Sequence, residues 1–131
     1  MAMNPVVHFE MSAEDRARMS KFYNSVFGWK TDQLGADMGH YVVVETTETK
    51  NRMIEGAGRI NGGFYQRMED KSMNYPSVVI AVEDIHKHMK MVEKAGGKIL
   101  GKPMEIPNVG TFVSFLDTEG NRVSMLQARK K

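Results

Sequence analysis

A strand–helix–glycine unit occurs twice in this chain, and that repetition narrows the possible folds more than any other feature. Val6-Val7-His8-Phe9-Glu10-Met11 reads as a short strand and leads into a helical pattern that closes at Phe27-Gly28-Trp29-Lys30. Ser77-Val78-Val79-Ile80-Ala81-Val82 reads as a second such strand, leading into a helix that closes at Ala95-Gly96-Gly97-Lys98. A unit used twice predicts a pseudo-symmetric scaffold, with a ligand expected where the two copies face each other. The side chains at matching places in the two copies then decide much of the chemistry.

The remaining pattern completes each copy. Ser12 with Asp15 three positions on resembles a capping box with Asp in place of Glu. Ala17, Met19, Phe22, Tyr23, Val26 and Phe27 follow as an apolar stripe, and Gly28 supplies the helix stop. Trp29 to Gln33, Tyr41 to Thr46 and Ala57 to Arg67 read as strands, the last interrupted by Gly62-Gly63. Paired glycines there suggest a bulge or the close approach of a backbone or ligand. A polar connection covers Thr47 to Glu55, and Met68 to Asn74 is the expected linker. In the second copy, Glu83-Asp84 opens a helix whose buried stripe is Ile85, Met89, Val92 and Ala95. Lys98 to Glu105, Gly110 to Asp117 and Asn121 to Gln127 read as closing strands, with a turn at Thr118-Glu119-Gly120-Asn121. Each half is then β-α-β-β-β. The fold class is α+β: one domain over residues 1–131, with modules at about 5–68 and about 75–128.

Composition excludes several function classes. The 131 residues suit one domain, and 41% hydrophobic against 26% charged residues is an ordinary balance. The net charge of +2 comes partly from the tail Arg129-Lys130-Lys131, so no nucleic-acid role is expected. No run approaches the ~20 apolar residues of a membrane span. Met1-Ala2-Met3-Asn4-Pro5 does not read as a secretory signal. The absence of cysteine removes disulfides and thiolate chemistry, and fits a cytoplasmic protein. Twelve methionines read as flexible core filler, or as the lining of a pliable pocket.

In order and spacing, "HFEMSAEDRARMSKFYNSVFGWK", "VVIAVEDIHKHMKMVEKAGGK" and "GTFVSFLDTEGNRVSMLQ" resemble the vicinal oxygen chelate superfamily, which holds glyoxalase I, bleomycin-resistance proteins and extradiol dioxygenases. The pattern runs from about Val6 to Gln127, and "FGWK", "INGGF" and "DTEGN" are most similar to small glyoxalase-like proteins labelled as lactoylglutathione lyase relatives. The resemblance implies two βαβββ modules, each a curled sheet around a cleft, and a homodimer. It also implies metal ligands, usually His and Glu, on the first and fourth strands of each module. Those positions fall at His8, Gly62-Gly63, Ser77 and Ser124. One donor of four is kept, and serine hydroxyls are poor ligands for such metals. The usual divalent metal is therefore not expected, and no other cofactor is.

The expected site takes His8 and Glu10 as candidate acid and base, since residues two apart on a strand share a face. Ser77, Ser124, Gly62, Gly63, Trp29, Phe64 and Phe112 are expected to bind a ligand, with the glycines leaving room beside the backbone. Tyr41, Tyr75 and Phe115 are further aromatics from which a cleft wall could be drawn, while His40, His86 and His88 read as loop or surface residues. The expected function is binding of a small molecule without a divalent metal. The alternative is a lyase or isomerase of the glyoxalase type that uses His8 as metal ligand or acid/base.

Overall fold

A computed structural model describes residues 3–50, 53–54 and 58–129. Ala57, Glu55 and Lys130-Lys131, which the sequence assigns to a strand start, a connection and a tail, lie outside the described residues. The elements run β1 (Val6–Ala13), α1 (Arg16–Phe27), β2 (Lys30–Gln33), β3 (Val42–Glu45), β4 (Thr49–Lys50), β5 (Met53–Ile54), β6 (Asn61–Gln66), β7 (Ser77–Ala81), α2 (Ile85–Lys94), β8 (Lys98–Ile106), β9 (Gly110–Leu116) and β10 (Arg122–Ala128). They fall into two compact units, His8–Pro76 and Met1–Val7 with Ser77–Lys131. The fold is α+β, and each unit is a βαβββ module. The first also carries the small β4–β5 ladder in what the sequence marks only as a polar connection.

In the unit His8–Pro76 the strands lie in the order β2-β3-β6-β1. β1 and β6 run parallel, pairing His8 with Asn61, Phe9 with Gly62, Glu10 with Gly63 and Met11 with Phe64. Because strand side chains alternate, this register sorts them onto two faces. Phe9, Met11, Val42, Val44 and Phe64 turn to one face, where Met19 and Tyr23 of α1 and Trp29 join them in a core. Val44 and Phe64 are fully buried, each stabilising the unit by roughly 1.5–3 kcal/mol. His8, Glu10, Ser12, Asn61 and Gly63 turn to the other face.

Two details of α1 differ from the sequence reading. Its N-cap is Asp15, whose carboxylate accepts from the Arg18 amide at 3.0 Å. Ser12 stays in β1 and donates instead to the Asn74 carbonyl at 2.7 Å. The helix also buries a narrower stripe than expected. It rests on Met19 and Tyr23, one turn apart, which rotates Phe22, Val26 and Phe27 away to 54%, 56% and 60% exposure. Gly28, at φ 71°, closes the helix in the left-handed conformation.

In the other unit the order is β7-β10-β9-β8. Val82, Ile85, Val113 and Met125 form the core under α2, with Ile80, Met89, Val92, Ile99 and Phe115 packed around them. Asp84 caps α2 by accepting from the Lys87 amide. The Ala81 amide donates to the Pro5 carbonyl at 2.9 Å, which ties the N-terminal residues into this unit.

Candidate functional site

The face of β1 and β6 turned away from α1 carries a part-buried, hydrogen-bonded chain of three side chains. The Tyr41 hydroxyl, just before β3, donates to Glu10 Oε2 at 3.0 Å and lies 3.0 Å from His8 Nε2. A phenol has one proton, and Glu10 receives it. His8 therefore carries its own proton on Nε2 and donates it to the Tyr41 oxygen. Burial pushes the His8 imidazole down to about 4, so the ring is neutral at physiological pH. Burial, the Glu10 charge and the Glu10 hydrogen bond push Tyr41 far above its ordinary value, so the phenol keeps its proton.

Gly63 makes this chain possible. A Cβ there would fall 1.7 Å from the Tyr41 hydroxyl and 2.0 Å from Cζ. At Gly62 a Cβ would fall 2.4 Å from the Phe9 ring. The space the sequence reading reserves for a ligand above these glycines is thus filled by the protein's own Tyr41 and Phe9. Asn61, the register partner of His8, is tied elsewhere: it accepts from the Thr46 amide at 2.9 Å and donates to Thr49 Oγ1 at 3.1 Å. The hydroxyl of Tyr65, further along β6, donates to the Met73 carbonyl.

Trp29 and Phe64 are core residues on the opposite face from His8 and Glu10. Phe64 is fully buried, and Trp29 stacks on Tyr23 with centroids 4.7 Å apart and planes 9° apart. Phe64 pairs with Met11, one residue out of phase with Glu10, and that offset turns it away from the expected site. Trp29 lines an open pocket of about 800 Å³ with Phe9, Met11 and the connection around Thr46–Glu48, again on the helix side.

In the other unit, Ser114 and Ser124 stand opposite each other, their hydroxyls 2.8 Å apart, and Arg122 Nη2 donates to Ser114 at 3.4 Å. Phe112, two residues from Ser114, shares their face. Ser124 pairs with Val79 of β7, which places Ser77 on that same face. The Ser77 hydroxyl is buried with no hydrogen-bond partner among the described residues. His86 is exposed, and His40 is an exposed turn residue at φ 55° whose carbonyl accepts from Arg16.

The glyoxalase/bleomycin resistance protein/dioxygenase superfamily pattern matches residues 6–125. The chain belongs to this superfamily. It is 30% identical, over 86% of its length and 84% of the relative's, to a glyoxylase-like domain-containing protein of Didymella fabae. Among solved structures the fold is similar to a hypothetical protein from Bacillus halodurans (TM-score 0.70, 11% identity, 99% of this chain and 98% of that one). It is also similar to a variant methylmalonyl-CoA epimerase from Streptomyces coelicolor in complex with 2-nitronate-propionyl-CoA (TM-score 0.69, 12% identity, 98% and 100%). At these identities the structures speak for the fold alone.

The superfamily resemblance implies a divalent metal, and the donors present do not fit one. His8 Nε2 and Glu10 Oε2 are both engaged by Tyr41, and Ser124 by Ser114. Positions 62 and 63 have no side chain to offer. Among the described residues no group of three or more His, Cys, Asp or Glu could hold a metal ion, and three protein ligands are the usual minimum for a transition metal.

Proposed function

We propose that this glyoxalase-superfamily protein binds a small molecule and does so without a divalent metal. The observation that carries the reading is the Tyr41 hydroxyl, which satisfies the imidazole and the carboxylate that would otherwise be donors. The groups proposed to meet a ligand lie on the sheet face turned away from the helix in each unit: His8 with Glu10 in one, Ser77, Ser124 and Phe112 in the other, with Glu10 and both serines buried. Both combine polar groups with apolar surface, the usual composition of small-molecule sites. Two further facts support a small ligand: superfamily membership, and solved epimerase structures of this fold in complex with acyl-CoA molecules. Elemental analysis of the purified protein is the test. The expected result is well under one equivalent of zinc, nickel, manganese or iron per chain, and full occupancy by any of them overturns the reading.

A second reading, an isomerase or lyase moving a proton, is favoured by the chain itself. With Nε2 protonated and bonded to Tyr41, His8 Nδ1 keeps its lone pair and has no partner among the described residues. The low His8 value makes it a weak base, which is why binding is placed first. Full turnover by a His8→Ala variant, on whichever substrate is found, eliminates the His8 mechanism.

A further inference from the structure

We propose that the Tyr41 hydroxyl is a built-in stand-in for a metal ion, and that Tyr41 with Gly63 closes a latent cation site on β1 and β6. The inference rests on the metal-free reading above and deepens it. One oxygen touches His8 Nε2 and Glu10 Oε2 at 3.0 Å each, so it bridges two donors of the kinds that bind divalent transition metals. A cation bonding both would sit closer to each, at about 2 Å, so His8 and Glu10 would move inward once the phenol is gone. The third element is steric. Any side chain at position 63 begins with a Cβ 1.7 Å from the Tyr41 oxygen. Position 63 pairs with Glu10 on the same face of adjacent strands, where a donor side chain would complete a set of three. Tyr41 and a donor at 63 are therefore mutually exclusive, and this chain has taken the tyrosine. A single choice, Tyr41 over Gly63, accounts at once for the two engaged donors and the missing third.

The test restores the site. Tyr41→Ala/Gly63→His leaves His8, Glu10 and the introduced imidazole facing one space. Isothermal titration with Zn²⁺ and Co²⁺ is expected to show one site per chain at least about 100-fold tighter than in the unaltered protein, with a tetrahedral Co²⁺ absorption band. Adding His8→Ala is expected to abolish both. Tyr41→Ala alone keeps two donors and is expected to gain about tenfold in Co²⁺ affinity, again lost with His8→Ala. This single variant decides the matter if the double one does not fold. No gain in a folded variant, or a gain that survives His8→Ala, overturns the stand-in role while leaving the metal-free reading intact. Tight stoichiometric binding by the unaltered protein would instead overturn the reading beneath it.

Discussion

At the scale of residues, the protonation state of His8 depends on its burial. Its folded value of about 4 lies below the ordinary 6.5, so between those pH values the unfolded chain binds the proton and the folded one does not. Stability from this group is complete above about pH 6.5 and is lost as pH falls toward 4, amounting to about 3 kcal/mol. Urea unfolding at pH 7.0 and 4.5 is expected to show this loss in the unaltered protein and a markedly smaller one in His8→Gln. An equal pH dependence in both would contradict the buried, neutral imidazole. His8 and Glu10 were legible as a pair because two-residue alternation is local. Their link through Tyr41 was not, since Tyr41 lies 33 residues from one and 31 from the other, and no sequence pattern encodes which hydroxyl reaches across a sheet.

At the scale of elements, both helices and most strands were readable, while the β4–β5 ladder was missed and β6 was read from Ala57 where it begins at Asn61; the faces the elements present were read less well. Periodicity marks a strand, but register decides which neighbour each residue meets, and a shift of one residue reverses every side chain. Phe64 illustrates this: the sequence shows an aromatic on a strand, and only its pairing with Met11 shows that it faces α1. The cap of α1 makes the same point, because Ser12 and Asp15 both suit a helix start. Asp15→Ala is expected to destabilise the protein by about 1 kcal/mol through loss of the Arg18 amide's partner. Ser12→Ala is expected to leave the amide exchange of α1 unchanged and to loosen the 68–74 connection, whose Asn74 carbonyl Ser12 holds. Faster exchange in the first turn of α1 on Ser12→Ala would return the cap to Ser12.

At the scale of the whole molecule, the unit ending at Lys131 is discontinuous in sequence, since it includes the residues up to Val7. Removal of residues 1–7 is expected to speed exchange of the Ala81 amide, whose acceptor is the Pro5 carbonyl, by tenfold or more. Amides of α1, in the unit His8–Pro76, are expected to respond far less; equal acceleration in both would mean that Pro5 serves the molecule generally. The doubled βαβββ plan was legible because both copies carry complete strand, helix and turn signals. That one copy takes in residues from the far end of the chain was not, because contacts so distant in sequence leave no local mark. Synthesis adds a consequence. The ribosome makes Pro5 before Ala81, with the unit His8–Pro76 between them, so the Pro5 carbonyl lacks this partner until that unit has been made. Folding of the discontinuous unit is therefore tied to closure of a loop of some seventy residues between Pro5 and Ala81, a slow kind of step, and the Pro5 segment is open to wrong pairings until that loop closes.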